Sequence, residues 1–351
     1  MSHKILYLGE KIILVTSGAD QVNKRNQELL EEKFNVTYLP LVKGCLHKVF
    51  LGIVNPYLKE IDNMLSAGIY KYVFVPQSLF GRACKHIKNK FPKIKIITFF
   101  HNIEVYYAAE YRKINGLKTF PFYLATKYWE TQCCKYTDYC ITLNMRDSRL
   151  LKDIYNKEAV LELPTSFKDN FNEARAIAVD NNTKYSNIDF LFVGVAFFAN
   201  TEAVQWFIDN VMPRVKGNFY VIGKGMDKYP FQNMSNNVHI YGFVNDLTDF
   251  YYRARMVVLP IHVGGGMKTK TAEALMYRKT ILGSKEAFEG YEIDKQCMYL
   301  CETAEDYINR IESLSTHPTK INPASRDLFK KHYSNNALRK KFNSFITTIH
   351  E

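Results

Sequence analysis

The chain has 351 residues, 47% hydrophobic and 23% charged, which predicts two packed domains and excludes a disordered or low-complexity chain. Forty-seven Lys and Arg stand against 35 Asp and Glu, a net charge of +12, and +9 of it falls in residues 1–165. No run approaches the roughly 18 apolar residues of a membrane-spanning helix. Seven cysteines without a CxxC pair exclude a zinc-ribbon or disulfide framework and fit reduced thiols.

In the first half, β-rich runs alternate with helical stretches. Strands are predicted at Lys11–Thr16, Val36–Leu39, Tyr72–Val75, Lys95–Phe100, Tyr139–Leu143 and Val160–Leu163. Helices are predicted at Gln21–Lys33, Phe80–Phe91 and Phe122–Tyr136. Such alternation implies a parallel sheet covered on both faces. Residues 166–187 are polar and turn-prone, with Asp180-Asn181-Asn182-Thr183 and Ser186-Asn187, the composition of a linker.

The alternation then restarts, with strands at Phe190–Gly194, Phe219–Ile222, Val238–Tyr241, Met256–Leu259, Thr280–Leu282 and Met298–Cys301. Helices fall near Thr201–Val211, Leu247–Arg253, Thr269–Arg278, Ala304–Leu314 and Ala337–Ile349. The first of these places Val204, Phe207, Ile208 and Val211 on one face. The expected fold class is α/β, with two Rossmann-like domains facing each other across a deep cleft. Their bounds are 1–165 and 188–334, with the last helix, 335–351, packing back on the first domain. Ligands of such sheets sit beyond the carboxyl ends of the strands, so the cleft is the expected site.

One segment carries specific chemistry. From Leu259 to Ala274 an apolar strand runs into Gly264-Gly265-Gly266, then Lys268 and Lys270, then a helix. Glycines let backbone amides approach an anion, and the helix N-terminus adds partial positive charge. Either lysine can supply a point charge for a diphosphate, and Glu273 in the first helical turn complements the dipole. A purely structural strand-to-helix turn is the alternative.

The run Gly-Gly-Gly-Met-Lys-Thr-Lys-Thr-Ala-Glu-Ala-Leu at 264–275 has companions in a set order. These are Phe192-Val193-Gly194 with Asn200, Val221-Ile222-Gly223, Gly242-Phe243-Val244-Asn245-Asp246 and Glu289-Gly290. Together they resemble the family 4 glycosyltransferases, or glycosyl transferases group 1, which have the GT-B fold. The resemblance covers residues 188–292 well and the first half weakly. It implies that Glu273 holds the donor ribose and that Lys268 and Lys270 meet the diphosphate. Phe243 and Val244 would contact the base, while Gly265 and Gly266 lie beside sugar and phosphates. Gly194 and Thr271 complete the implied donor set, and Lys270 is also assigned to catalysis. Two positions depart from the family pattern: Gly265 replaces a frequent glutamate and Val195 a frequent arginine.

In the first half, His101-Asn102-Ile103-Glu104 ends a predicted strand and is similar to His-Asn-x-Glu segments of polysaccharide enzymes in that family. His101 is thus the second catalytic candidate, a strand-end histidine satisfied by backbone being the alternative. Asn102, Glu104, Gly18, Lys24 and Arg25 form the expected acceptor side, with Lys24 and Arg25 as plain solvent-facing cations the alternative. Residues 104–136 interleave aromatic and basic side chains, which suits a bilayer surface or a packed helix pair.

The reading is a retaining, metal-independent transferase using a nucleotide-diphosphate sugar as co-substrate, with no other cofactor. Its acceptor is a glycan or lipid-linked glycan, and its place is the cytoplasm, peripheral on an anionic membrane face. Two rivals are a sugar-nucleotide epimerase using Glu104 and Asp20, and a non-catalytic nucleotide-sugar-binding subunit. A nucleic-acid partner lacks any reading motif, and an NAD enzyme lacks its GxGxxG.

Overall fold

Each half of the chain builds a six-stranded sheet in which every neighbouring pair is parallel. The computed structural model describes residues 3–41, 53–180, 188–264, 266–315 and 320–350. It divides into two units, Met1–Pro164 with Arg339–Glu351, and Thr165–Leu338.

In the first unit the order along the chain is β1 (Lys4–Leu8), α1 (Gly18–Glu31), β2 (Asn35–Leu39), α2 (Asn55–Ser66), β3 (Tyr70–Val75) and α3 (Gly81–Lys90). It continues through β4 (Lys95–Phe100), α4 (Glu104–Asn115), α5 (Phe120–Tyr136), β5 (Tyr139–Thr142), α6 (Met145–Tyr155) and β6 (Ala159–Glu162). The sheet order is β2-β1-β3-β4-β5-β6, so the winding reverses between β1 and β3.

The predicted strand Lys11–Thr16 is a loop, and β1 is the apolar run before it. Lys4–Leu8 pairs with β2 on one side and β3 on the other, and Ile5, Leu6 and Leu8 are fully buried. Two apolar runs compete for one central position, and only the first has its side chains enclosed on both faces. Ile13 and Leu14 are left 88% and 75% exposed. The loop ends at Ser17, whose hydroxyl accepts from Asp20 N at 3.1 Å and caps α1.

The second unit runs α7 (Glu173–Asp180), β7 (Ile188–Val193), α8 (Phe198–Asn210), β8 (Phe219–Ile222), β9 (Val238–Tyr241), α9 (Thr248–Arg253) and β10 (Ala254–Leu259). Then come α10 (Thr269–Met276), β11 (Thr280–Gly283), β12 (Met298–Leu300), α11 (Ala304–Ser315), α12 (Pro323–Leu328) and α13 (Asn335–His350). The order β12-β11-β10-β7-β8-β9 reverses between β10 and β7.

Residues 166–187, read as a linker, contain α7 and cluster with the second unit. Phe171 is the reason. The guanidinium groups of Arg278 and Arg326 lie 4.7 and 4.9 Å from its ring centroid, and Arg326 also pairs with Asp169. Residues after Arg339 cluster with the first unit: Arg339 pairs with Glu32 at 2.7 Å, and Tyr72 donates to the Ile349 carbonyl at 3.0 Å.

Helices α3 and α5 cross so closely that only glycine fits at the start of α3. A Cβ on Gly81 would stand 1.9 Å from the Trp129 carbonyl oxygen. Gly81→Ala is therefore expected to lower stability by about 3 kcal/mol, the upper range for overpacking. Urea unfolding measures this, and an unchanged midpoint would show that the helices separate at no cost.

Candidate active site

Both sheets place their chemistry beside the winding reversal, outside the carboxyl ends of the strands, where α/β sheets bind ligands. In the second sheet, β7 runs into Gly194 and β8 into Gly223. A Cβ on Gly223 would lie 1.8 Å from the Gly194 carbonyl oxygen, and one on Gly194 would lie 2.9 Å from Asn200 Nδ2. Two glycines are thus needed for the strand ends to close on α8. Asn200 at the start of α8 then donates to the Val195 carbonyl at 2.9 Å and turns its Oδ1 towards Lys270, whose Nζ donates at 2.8 Å.

Lys270 is partly buried in the first turn of α10. Its Nζ lies 5.2 Å from the centroid of the Phe192 ring, and no carboxylate stands within ion-pair distance among the described residues. Withdrawal from water, reinforced by the nearby charge of Lys268, brings its pKa down to about 7. One turn on, the partly buried Glu273 accepts from Tyr251 Oη at 2.8 Å, and withdrawal from water raises its pKa to about 7. Among the described residues neither this ammonium nor this carboxylate is bonded to a group of opposite charge, and both lie on the first turns of α10.

Lys268 differs from Lys270. Its Nζ donates to Glu286 at 2.6 Å and to the Gly266 carbonyl at 2.8 Å, so it fastens the glycine loop. Tyr291 Oη donates to the Lys268 carbonyl at 2.7 Å and accepts from Ala272 N at 3.2 Å, clasping the start of α10. Gly266 has φ +63°, a left-handed value that favours glycine. Gly265 lies outside the described residues. Phe243, in the loop after β9, is 73% exposed, and its neighbour Val244 is partly buried. Thr271, expected to bind donor, is fully buried and spends its hydroxyl on the Ala287 carbonyl at 2.9 Å. It ties α10 down and offers nothing to a ligand.

In the first sheet, His101 follows β4. Its Nε2 lies 2.9 Å from Asn23 Oδ1, and the ring also bonds the Pro76 backbone. Withdrawal from water, with the charge of Arg25 adding to it, lowers its pKa to about 4, so the ring is neutral at pH 7. The neutral ring has one N–H for two acceptors, Asn23 Oδ1 and the Pro76 carbonyl, and its other nitrogen carries a lone pair.

Glu104 is positioned by Glu130, a fully buried carboxylate on α5. Glu130 accepts from the backbone N–H groups of Glu104 and Val105 at 2.8 and 2.9 Å, capping α4. It also accepts from Ser78 and Tyr155, both at 2.7 Å. The partly buried Glu104, with Asn102 Nδ2 at 3.5 Å, has its pKa raised to about 7 by withdrawal from water and by the charge of Glu130. Gly18 is exposed at the start of α1 and Lys24 is partly exposed one turn later. Arg25, expected on the acceptor side, is fully buried instead. Its guanidinium donates to the carbonyls of Pro164 at 2.8 Å and Leu163 at 3.4 Å, tying α1 to the end of β6.

Residues 187–317 match the sequence family Glycosyl transferases group 1. They span the strand–glycine–lysine–helix segment just described. The chain has the GT-B fold, and the family match falls within its second unit. The lipopolysaccharide outer core galactosyltransferase WaaB, solved in its apo form, superposes with a TM-score of 0.71 at 14% identity, over 98% of this chain and 99% of that one. Anabaena HepE, solved with UDP and glucose, gives 0.68 at 11% identity over 98% and 99%. A glycosyltransferase from Rickettsia africae gives 0.66 at 12% identity over 100% and 99%. No curated protein matches by sequence.

The site uses several residues that carry no local signal in the sequence. Glu286, Tyr251 and Tyr291 reach α10 from other elements, and Glu130 reaches α4 from α5. Asn200 stood among the motifs without a role; its contact with Lys270 supplies one. Among the described residues no cluster of three or more His, Cys, Asp or Glu could hold a metal ion, and no helix is long and apolar enough to cross a membrane.

Replacing Glu130 by Ala would strip two backbone amides, Ser78 and Tyr155 of their acceptor. The expected loss is about 3 kcal/mol of unfolding free energy, since each buried group left unpaired costs about 1–3 kcal/mol. A Glu130→Ala protein with the wild-type denaturation curve would remove Glu130 from its positioning role.

Proposed function

We propose that this chain is a glycosyltransferase that takes a sugar from a uridine diphosphate donor and places it on a hydroxyl of a glycan or lipid-linked glycan, with retention and without a metal. The observation that carries this reading is Lys270, partly buried at the start of α10 and bonded to the neutral Asn200. An ammonium so placed is completed by an anion, and a diphosphate also gains from the helix N-terminus. HepE was solved with UDP and with UDP-glucose, which supports the uridine assignment.

In this proposal Lys270 stabilises the charge of about −1 that develops on the leaving diphosphate. The bond from the anomeric carbon to the diphosphate oxygen breaks, the acceptor oxygen takes its place on the same face, and the acceptor proton leaves on the departing phosphate. Glu273 accepts from the ribose hydroxyls, exposed Phe243 and Val244 cover the base, and Gly194 and Gly266 admit the phosphates. His101, neutral, hydrogen-bonds the transferred sugar, with Asn102 and Glu104 on the acceptor side.

A membrane role for the first unit is part of the proposal. Leu117, Phe120, Phe122 and Leu124 are exposed around the turn between α4 and α5, with Arg112, Lys118 and Lys127 in the same stretch. Apolar side chains rimmed by cations suit the interface of an anionic bilayer at the cytoplasmic face. Sedimentation with phosphatidylglycerol vesicles, but not phosphatidylcholine ones, is the expected result; equal partitioning into both would count against it.

Calorimetric titration with UDP, without added metal, tests the donor site. Lys270→Met is expected to weaken UDP about 10- to 100-fold, the range of a lost charged hydrogen bond. Because UDP favours the ammonium over the neutral amine, wild-type affinity should also fall as pH rises from 7 to 9, and the variant should lose that dependence. Wild-type affinity in a folded Lys270→Met protein would overturn the assignment.

A further inference from the structure

The loop after β1 has a feature that the donor chemistry does not use. Ile12-Ile13-Leu14-Val15 is a wholly apolar run, yet Ile13 is 88%, Leu14 75% and Val15 37% exposed. The loop is tied at both ends. Ile12 N donates to Gln27 Oε1 at 2.9 Å and Gln27 Nε2 to the Glu10 carbonyl at 3.0 Å. At its far end Thr16 N and Oγ1 donate to Asp20 Oδ2 at 3.0 and 2.7 Å. Side chains held out by a fastened backbone mark a binding surface, since an exposed apolar run otherwise only promotes aggregation.

This run forms one wall of a cavity of about 540 Å³, a volume within the usual range for small-molecule sites. The cavity opens at the winding reversal of the first sheet, between the loops that follow β1, β3 and β4. Asp20, Asn23, Gln77 and His101 contribute hydrogen-bonding groups, and Ile13 and Leu14 contribute the apolar side. The charges around it favour a neutral occupant. Glu10 and Asp20 line the cavity, and the lining cation Lys11 is paired with Glu31 at 2.7 Å.

We infer that this cavity receives an amphipathic acceptor, an uncharged sugar head against Asp20, Asn23 and Gln77 with a hydrocarbon tail along Ile13 and Leu14. The inference rests on the transferase reading and narrows its acceptor from glycans at large to glycosides carrying an apolar aglycone. A tail-less sugar occupies the polar end alone and forfeits the burial along the loop, where each fully enclosed methylene is worth about fourfold in affinity.

The test is direct binding, independent of turnover. Methyl and octyl β-glycosides of glucose, galactose and N-acetylglucosamine are titrated below the octyl compounds' micelle concentrations, with affinities from saturation-transfer NMR. At least one octyl glycoside is expected to bind about tenfold or more tighter than its methyl counterpart. Ile13→Ser combined with Leu14→Ser should bring that ratio to within about threefold, while methyl-glycoside affinity and the UDP-induced rise in Tm stay unchanged. Ile13→Thr alone, at the more exposed position, should give an intermediate ratio and covers the case of a poorly folding double variant. Equal affinity for both series, no binding by any of the six compounds, or an unchanged ratio in the variants would overturn the inference. Failure of UDP to raise Tm, with the octyl preference intact, would instead overturn the donor reading and leave this cavity standing.

Discussion

An ammonium held partly out of water and bonded, among the described residues, to a neutral amide is the constraint on which the site depends. Lys270 donates to Asn200, while Glu273 one turn later is held by Tyr251 and makes no ion pair with Lys270. Withdrawal from water moves the two groups in opposite directions, each to about 7. The signs differ accordingly. The cost of a charged Lys270 is full below pH 7 and fades as pH rises towards the unfolded lysine value, whereas that of Glu273 grows from the unfolded carboxylate value up to about 7. A ligand bringing an anion to one and hydroxyls to the other offsets both costs, so unliganded instability becomes binding free energy.

The rest of the second unit holds that pair in place. Gly194 and Gly223 allow two strand ends to close on each other, which sets Asn200 at the reach of Lys270. Lys268, bonded to Glu286 and the Gly266 carbonyl, fixes the loop from which α10 departs, and Tyr291 and Thr271 lock the helix start. The first sheet repeats the arrangement with different chemistry. Its winding also reverses, and there a neutral histidine, an amide and a carboxylate line a cavity with an apolar lip.

Much of this was legible in the residues. Strand–helix alternation gives both parallel sheets because buried parallel strands read as short apolar runs, and glycines followed by lysines at a helix start announce an anion site. Legibility fails where two segments satisfy the same rule. Lys4–Leu8 and Lys11–Thr16 are both apolar, and only pairing partners far along the chain decide which becomes β1. It fails again where composition says nothing about direction. Arg25 looks like a surface cation but turns inward to the carbonyls of Leu163 and Pro164, and Thr271 turns its hydroxyl to Ala287. Glu286 and Glu130 could not be picked out, because their partners lie 18 and about 25 residues away on other elements.

The most direct test of the central claim is the titration of Lys270 itself, followed by NMR of protein carrying 13C at the lysine ε-carbon and assigned with Lys270→Met. The account predicts a resonance that titrates near pH 7 in the unliganded protein and moves well upward when UDP is bound. A Lys270 that titrates at the ordinary lysine value of about 10.4, unmoved by UDP, would contradict it.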